Sequence, residues 1–369
     1  MKKKIRLGIL FGGRSGEHEV SIASAASVLQ ALDRSKYRVT LIAITRKGCW
    51  LLGGLSPQHP PLEALKAVLR TGAPVLPSAD PSKPGLLALS TLRRVNLDVV
   101  FPLLHGTFGE DGTVQGLLEL SGIPYVGAGV LGSSASMDKD LMKRLFRDAR
   151  LPIVPWILIL RRDWGNSPSK LRLNIEREIG YPAFVKPANL GSSVGVSKVT
   201  SRRELGRAID LAANYDRKII VEKGIDAREI ECSVLGNDDP KASAPGEIVP
   251  VNEFYDYSAK YLQEGSKLII PARLTARQSR EVRDFSLRAF KAVDCAGMAR
   301  VDFLLDRRSG QMLVNEINTI PGFTSISMYP KLWEVSGLPY PMLVDRLVDL
   351  AIDRHREKQQ TRYDYTPAR

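Results

Sequence analysis

The feature that most constrains the fold is a pair of alternating segments near the C-terminus, residues 299–305 and 312–318, joined by a short turn. Apolar and polar residues alternate in both segments, which predicts a β-hairpin with one buried face. The midpoint between Asp302 and Glu316 falls inside the turn, so these carboxylates are expected to face each other across the strands. Asn318 lies two positions after Glu316 and shares its face. The hairpin therefore brings three oxygen side chains together.

Two interpretations of this oxygen cluster are possible. Hard oxygen ligands in this number suit Mg²⁺ held between a protein and phosphate oxygens. The alternative is a solvated hairpin face, but the apolar residues Val301, Phe303, Val314 and Ile317 alternate with the polar ones, and both faces cannot be solvent-exposed. Uncompensated carboxylates on a half-buried hairpin would be costly. The pattern favours a metal site.

A glycine-rich loop follows the predicted strand Ala183–Lys186 and includes Gly191, Ser192, Ser193 and Gly195. Backbone amides freed by glycine can close over phosphate oxygens while Lys186 supplies a positive charge. The loop lacks the GK[ST] ending of a P-loop, so an ordinary hairpin turn remains the alternative. The earlier run Gly12-Gly-Arg-Ser-Gly16 is not GxGxxG, and a dinucleotide site is only weakly indicated.

The first 127 residues are predicted to form an open parallel α/β domain. Strands are expected at Ile5–Phe11, Arg38–Thr45 and Leu97–Leu104, with a helix at Val20–Leu32. Residues 53–95 contain seven prolines and several glycines and are expected to be a surface insertion of mixed order.

Two further domains are predicted, 128–225 and 226–369. The first should contain a basic amphipathic helix and three strands, and a helix starting with the capping box Ser201-Arg-Arg-Glu204. The second should contain several strands, a helix after the capping box Thr275-Ala-Arg-Gln278, and the hairpin. These elements are predicted at Met137–Arg150, Trp156–Leu160, Ala183–Lys186, Ile219–Glu222, 228–235, 246–250 and 299–318, with an aromatic loop at 252–264 and a disordered tail after Arg356.

Composition excludes several classes of protein. The net charge is +13, but Lys2, Lys3, Lys4 and Arg6 contribute four of these charges and residues 354–369 a net three, so the excess is concentrated in tails. No nucleic-acid motif accompanies it, and an anionic small substrate such as ATP is the expected partner. The three cysteines are widely spaced and predict neither a disulfide framework nor a zinc site. No signal peptide or membrane span is indicated, so a cytoplasmic protein is expected.

The arrangement of motifs resembles the ATP-grasp superfamily and, within it, the D-alanine:D-alanine ligases, over essentially the whole chain. Seven motifs occur in that family's order: Gly12-Gly-Arg-Ser-Gly-Glu17-His-Glu-Val-Ser21, His105-Gly-Thr-Phe-Gly-Glu-Asp-Gly112, Ser136-Met-Asp-Lys139, Lys186 to Lys198, Glu222-Lys223, Phe254-Tyr-Asp-Tyr-Ser-Ala-Lys-Tyr261 and Asn315-Glu-Ile-Asn-Thr-Ile-Pro-Gly-Phe-Thr-Ser-Ile-Ser327. The resemblance implies an α/β and α+β fold whose central and C-terminal domains grip ATP.

The resemblance also implies a role for each matching residue. The nucleotide would be bound by Lys139, Lys186, Ser193, Glu222, Lys223, Ile225, Glu229, Phe254 and Asn315, with Lys260 also on the phosphates. Two Mg²⁺ or Mn²⁺ ions would be held by Asp302, Glu316 and Asn318. The first D-alanine would meet Glu17 and His105, Ser192 and Tyr261 would link Glu17 to closed loops, Arg300 and Gly322 would form an oxyanion site, and Lys260, Ser327 and Met328 would bind the second D-alanine.

The implied activity is ATP-dependent synthesis of D-alanyl-D-alanine through a D-alanyl phosphate, for cell-wall precursors, by a homodimer. Two positions depart from the family: Gly224 replaces an aromatic residue found beside the adenine in some relatives, and Leu190 replaces a residue that is often polar. The alternatives are a ligase that makes D-Ala-D-lactate or D-Ala-D-Ser, and a non-enzymic nucleotide-binding module. Release of ADP and phosphate on adding D-alanine would distinguish a ligase from such a module.

Overall fold

The computed structural model describes residues 3–54, 60–191, 194–249 and 267–362. These residues form three β-sheets with helices packed against them, in agreement with the expected α/β and α+β class. Among the helices of these ranges, none combines the length and the apolar character that a membrane crossing requires.

The first sheet has seven strands in the order β6-β5-β4-β3-β2-β1-β7. Its strands are β1 Ile5–Gly12, β2 Tyr37–Ile44, β3 Trp50–Gly54, β4 Ala73–Pro77, β5 Leu86–Ala88, β6 Arg94–Val95 and β7 Val99–Pro102, and its helices are α1 His18–Ala31, α2 Pro61–Thr71 and α3 Thr113–Leu120. Strand β1 pairs in parallel with β2 and β7, and the other pairings are antiparallel. The parallel prediction therefore holds only for these three strands.

The predicted insertion is part of this sheet. Residues 60–95 are ordered as α2 and three short strands that extend the sheet beyond β3. Pro81, Pro84 and Gly85 lie in the turn between β4 and β5, whereas Pro74 and Pro77 are part of β4. The strands are only two to five residues long, too short to show a reliable alternation in the sequence.

The second sheet has the order β10-β9-β11-β8 and is antiparallel. This part of the chain contains α4 Val130–Met137, α5 Lys139–Asp148, β8 Trp156–Leu160, α6 Arg161–Asn166, α7 Pro168–Glu178, β9 Ala183–Pro187, β10 Ser197–Val199, α8 Arg202–Tyr215 and β11 Lys218–Lys223. The strand predictions are confirmed to within one residue.

The predicted helix Met137–Arg150 corresponds to α5, which begins and ends two residues inside those bounds. A break at Asp138 ends α4 and starts α5, because the Asp138 carboxylate accepts hydrogen bonds from the amides at positions 140 and 141 and caps the new helix. The capping box at Ser201 does not form. Ser201 occupies the N-cap position, but Glu204 instead accepts a hydrogen bond from the Thr200 amide at 2.7 Å.

The third sheet has the order β15-β14-β12-β16-β17, with β13 paired to β12. Its elements are β12 Ala227–Gly236, β13 Lys241–Ala242, β14 Gly246–Val249, β15 Lys267–Ile269, α9 Ala276–Ala292, β16 Gly297–Asp306, β17 Met312–Asn318, α10 Met328–Val335 and α11 Tyr340–Lys358. The capping box at Thr275 is confirmed. Helix α11 extends two residues past Arg356, where the sequence had suggested that order ends.

The predicted hairpin register is confirmed, since Asp302 pairs with Glu316. The register shifts at this point: Phe303 pairs with Val314, so Asn315 is an extra residue on β17. A bulge of this kind bends one strand and redirects its side chains, and it commonly occurs beside functional sites. It is this bulge that brings Glu316 opposite Asp302.

The C-terminal helix α11 packs into the core of the first sheet. Its residues Leu343 and Leu347 are fully buried in one cluster with Leu7, Ile9 and Phe101. The two ends of the chain therefore stabilise each other, since burying each such side chain contributes about 1.5 to 3 kcal/mol.

Candidate functional site

The candidate site begins on one face of the third sheet. Residues of β12 and β16 such as Ile230 and Val301 point to the opposite face, where they are fully buried with the apolar side of α9. Because side chains alternate along a strand, the other face carries the polar residues. These are Glu229, Glu231, Arg300, Asp302, Glu316 and Asn318.

Arg300 is held by two carboxylates. Its Nε and Nη2 each donate to Asp302 at 2.7 Å, in a bidentate pair, and its Nε lies 3.1 Å from Glu231 Oε2. Burial alone would lower the pKa of the guanidinium, but Asp302 and Glu231 hold this pKa well above its ordinary value. Arg300 is therefore a fixed positive charge in the floor of the site.

The three predicted metal ligands lie together, as expected. Asn318 Nδ2 donates to Asp302 Oδ2 at 3.0 Å, and Glu316 Oε2 lies 3.7 Å from the ammonium of Lys139. Within the described ranges no group of three His, Cys, Asp or Glu residues is placed to hold a metal alone. Two carboxylates and one amide instead fit Mg²⁺ that takes its remaining ligands from phosphates and water.

A second wall comes from the second sheet and α5. Lys139 begins α5, and its Nζ donates to the Leu190 carbonyl at 2.8 Å. Since Leu190 contributes a backbone oxygen, a nonpolar side chain at this position leaves the contact intact. Lys186 on β9 forms an ion pair with Glu222 Oε2 at 2.5 Å, on the same face of the sheet. Two cations thus face the carboxylates of the third sheet.

A further lysine, Lys143, pairs with the other oxygen of Glu222. The Nζ–Oε1 distance is 2.9 Å, in an ion pair whose angles do not make a directional hydrogen bond. Burial lowers the pKa of Lys143, which lies one helical turn after Lys139. Burial would raise the pKa of Glu222, but Lys143 and Lys186 together hold it below its ordinary value. The pKa of Lys186 is raised despite its burial, because Glu222 and Glu316 attract its proton.

The third wall follows β1 and β7. Gly12 has a φ of +93°, and a side chain there would collide with the Ile44 carbonyl. The chain therefore turns sharply into α1 and places Glu17 at the N-cap position, where it is buried. The Glu17 carboxylate lies against Gly106, where an added Cβ would be 2.5 Å from Oε2 and the φ is +74°. Glycine is required at this position by both the space and the backbone conformation.

His105 and Glu110 hold the backbone of Ile320 from both sides. His105 Nδ1 lies 3.0 Å from the Ile320 carbonyl oxygen, and Glu110 Oε1 accepts from the Ile320 amide at 3.3 Å. Ser24, which is paired with His105 Nε2 at 3.1 Å, also accepts from the Phe323 amide at 3.4 Å. The first sheet's loops therefore fix the segment that contains Gly322.

Glu110 gives the protein a defined pH dependence. Burial and the neighbouring charge of Glu17 raise the pKa of Glu110 to about 8, against the pull of Lys139. Folding therefore takes up a proton between about pH 4.5 and 8, so this contribution to stability falls as pH rises through that window. Burial lowers the pKa of His105. At lower pH, the contribution of His105 to stability therefore rises as pH rises.

We expect Glu110→Gln to remove the part of the pH dependence of stability that comes from Glu110. Urea unfolding of the ligand-free protein at pH 5.5, 7 and 8.5 should show the free energy of unfolding falling more steeply for wild type than for the variant. Equal slopes for the two proteins would contradict the assigned pKa.

Other predicted site residues lie around these walls. Lys223 is the last residue of β11 and Ile225 follows it, Glu229 lies on β12 opposite Leu304, and Asn315 is the bulge residue. At Gly224 an added Cβ would lie 2.8 Å from the Pro182 carbonyl oxygen, so the backbone approaches too closely for a side chain. This contact gives a structural reason for the departure from the family at this position.

The segment after β17 contributes Gly322, Ser327 and Met328. Ser327 is the N-cap residue of α10, and its hydroxyl accepts from the Thr324 amide at 3.0 Å. The Met328 side chain is buried in one cluster with Leu332, so a ligand could meet only the backbone of Met328. Ser192, Ser193, Phe254, Lys260 and Tyr261 lie outside the described residues.

Three residues of the site were missed in the sequence. Lys143 is four residues from Lys139, the spacing that places both on one helical face. Glu231 alternates with buried residues in the same way as Asp302 on the neighbouring strand. Glu110 belongs to a matching motif but had no assigned role. The alternation and the helical spacing were signals that could have identified the first two.

Comparison with known proteins identifies the family. The family models described as D-ala D-ala ligase N-terminus and C-terminus match residues 6–128 and 145–349. A curated protein of Heliobacterium modesticaldum named D-alanine--D-alanine ligase is 51% identical over 366 residues, covering 99% of each chain. A D-alanine-D-alanine ligase structure from Coxiella burnetii has a TM-score of 0.85 at 41% identity, covering 97% of this chain and 96% of that one. A D-Ala:D-Ser ligase from Enterococcus faecalis has a TM-score of 0.84 at 36% identity, covering 95% and 100%.

Proposed function

This chain belongs to the D-alanine–D-alanine ligase family, and we propose that the cleft around Glu316 is where it joins two D-alanines at the expense of ATP. The chain is an ADP-forming ligase of peptidoglycan precursor synthesis. The main support for placing the reaction in this cleft is the distance of 3.7 Å between Lys139 Nζ and Glu316 Oε2. A phosphate-binding cation and a metal ligand meet there, which is the arrangement phosphoryl transfer requires.

The phosphates are proposed to lie between Lys139 and Lys186 on one side and the third sheet on the other. Asp302, Glu316 and Asn318 would hold two Mg²⁺ or Mn²⁺, which when bound neutralise charge on the phosphates during transfer. The two lysines supply positive charge from the opposite wall and orient the phosphate chain. Lys260 is proposed to join them.

The adenine is proposed to lie against the end of β11. The Glu222 carboxylate is already bound by two lysines. Glu222 is therefore expected to meet the base through its backbone carbonyl, and Lys223 and Ile225 through their backbone groups. Glu229, on the polar face of the third sheet, is proposed to accept hydrogen bonds from the ribose hydroxyls.

The reaction has two steps. A carboxylate is a poor electrophile, so the carboxylate oxygen of the first D-alanine attacks the γ-phosphorus of ATP, giving D-alanyl phosphate and ADP. The free amine of the second D-alanine then attacks the carbonyl carbon, and phosphate leaves. Arg300 and the Gly322 amide are proposed to stabilise the oxyanion, and Ser327 and Lys260 to bind the second carboxylate. Closed loops would exclude water from the acyl phosphate.

We expect Glu17→Gln to weaken binding of the first D-alanine selectively. Its buried carboxylate is proposed to pair with the substrate ammonium, and such a charge-assisted contact contributes about 1.5 to 3 kcal/mol. The D-alanine concentration for half-maximal rate at the first subsite should rise about 10- to 150-fold, with little change for ATP. Steady-state kinetics with each substrate varied in turn measures both values.

Glu19→Gln is the matched control for this experiment. Glu19 lies two residues away on α1 with its carboxylate exposed and paired to Arg46. It should behave as wild type. A shift in the ATP requirement of Glu17→Gln, with D-alanine unchanged, would assign Glu17 to the nucleotide site instead.

We propose three domains, 1–127, 128–225 and 226–369, because each of the three sheets falls within one of these ranges. The first would carry the first D-alanine subsite, the second would form the ATP-grasp lid, and the third would hold the metal ions and the second D-alanine. A homodimer acting in the cytoplasm is proposed on the family resemblance.

A coupled assay of ADP release tests the function directly. D-alanine, D-serine, D-lactate and L-alanine are offered as the second substrate with D-alanine as the first, and the products are identified by mass spectrometry. D-alanyl-D-alanine should dominate. A larger yield of the D-serine dipeptide or the D-lactate ester would make this chain one of the alternative ligases, and no ADP release would contradict the enzymic assignment.

A further inference from the structure

Lys143 has no role in the chemistry described above, yet among the described residues it is the most deeply buried cation near the proposed nucleotide site. Its side chain is 1% exposed, and it ends 2.9 Å from Glu222 Oε1. The ring of Trp156 covers it, with the centroid 5.9 Å from Nζ. Burying an ammonium group is costly unless it is paired, so its presence calls for a functional reason or a structural one.

Glu222 forms ion pairs with two lysines at once. One carboxylate contacts two ammonium groups, Lys143 through Oε1 and Lys186 through Oε2. Glu222 alone would neutralise Lys186. With Lys143 present, the three side chains carry a net charge of +1 when all are ionised. That charge faces the cleft through Lys186, because Lys143 is almost completely enclosed.

We propose that Lys143 is a positioning residue that keeps Lys186 electrostatically available to the phosphates of ATP by sharing the carboxylate of Glu222. This inference rests on the proposed phosphate site. Without the second lysine, Lys186 would be bound to Glu222 as a neutral pair and would attract the nucleotide only weakly. Glu222 in turn holds the Lys186 ammonium in place on the face of the sheet.

A purely structural role makes a different prediction. If Lys143 only fills space, an uncharged side chain of similar length would serve equally well. If it only compensates the charge of Glu222, removing both charges together would bring no benefit to nucleotide binding over removing Lys143 alone. The charge-sharing role predicts that removing both charges restores the net charge of +1 on Lys186.

The test is calorimetric titration of the full-length protein with Mg²⁺-ADP. Lys143→Met is expected to weaken ADP binding about tenfold or more, the scale of one charge-assisted contact, with kcat at saturating ATP changed less than KM for ATP. Lys143→Arg should stay near wild type. The double variant Lys143→Met/Glu222→Gln should bind ADP more tightly than Lys143→Met, because Lys186 regains its free charge.

Two controls separate the possible failures. Arg147→Met removes one exposed positive charge from the last turn of the same helix, where the guanidinium lies 5.5 Å from the centroid of the Trp156 ring, and should leave ADP binding unchanged. Lys186→Met should weaken ADP binding, and if it does not, the proposed phosphate site itself is wrong. If Lys186→Met weakens binding but Lys143→Met does not, charge sharing alone is overturned.

Folding does not obscure the result. Lys143→Met leaves Glu222 paired with Lys186 at 2.5 Å, so no buried carboxylate is left without a partner. Thermal unfolding of each variant confirms that the protein titrated is folded. If Lys143→Met proves unfolded, ADP binding by the double variant is compared with ADP binding by Glu222→Gln alone. Lys143 is proposed to act only through the Glu222 carboxylate, so the two affinities should be similar. A tenfold weaker affinity in the double variant would contradict the proposal.

Discussion

Replacing Glu316 with glutamine is expected to reduce ligation more than about a hundredfold, on the scale of changes to metal-site ligands. The substitution preserves shape but removes the carboxylate that lies 3.7 Å from the Lys139 ammonium across the cleft. A neutral amide binds Mg²⁺ much more weakly than a carboxylate, so the charge on the transferring phosphate would be poorly neutralised. Initial rates of ADP release over a range of Mg²⁺ concentrations measure the loss.

The control for Glu316→Gln is the same change at an exposed position. Glu63 lies on α2 with half of its side chain exposed and should tolerate glutamine without effect. Binding of ADP in the presence and absence of Mg²⁺ provides a second readout, because the variant should lose the Mg²⁺-dependent part of the affinity. Full ligase activity of Glu316→Gln at limiting Mg²⁺ would refute the metal assignment.

Replacing Arg300 with lysine is expected to lower kcat by about a hundredfold to a thousandfold, the usual effect of losing an oxyanion donor. Lysine keeps the positive charge that Asp302 and the buried Glu231 require. Lysine lacks the planar guanidinium of arginine. That group donates two hydrogen bonds to Asp302 at 2.7 Å and has further N–H groups for the oxyanion. The KM values for ATP and D-alanine should change much less than kcat.

Arg307→Lys is the matched control for the arginine. Arg307 follows β16 in the turn of the same hairpin, where it is exposed and pairs with Asp226, so lysine should serve equally well there. A large rise in KM for ATP with kcat unchanged in Arg300→Lys would show that Arg300 acts on nucleotide binding rather than on the oxyanion.

The hairpin shows how far the sequence leads. Its two strands, their turn and the pairing of Asp302 with Glu316 were predictable, because alternation and a short turn together define a register. The bulge at Asn315 was not, since it depends on how β17 bends over the rest of the sheet. Continued from the turn, the register of Leu305 with Met312 would put Asn315 opposite Asp302, so the predicted pairing with Glu316 holds only because of the bulge.

Other parts of the molecule depend on contacts that are distant in the chain. The strands between positions 73 and 95 are too short to recognise without the sheet edge they extend. The break between α4 and α5 depends on one side chain, Asp138, which caps a new helix where the apolar pattern runs on. Lys143 looks like an ordinary residue of an amphipathic helix until Glu222, from a strand almost eighty positions later, is placed beside it.

The hold on Ile320 has a consequence for recombination among related ligases. His105 and Glu110 contact only its carbonyl and amide, while its side chain is buried in the shared core. The interaction therefore depends on the backbone conformation at this position and not on which side chain is present. Consider a chimaera that joins residues 1–127 of one ligase to the remainder of another. The loop at the position of Gly322 should keep its shape whenever the first part supplies the histidine and the glutamate, whatever apolar residue the second part has at the position of Ile320.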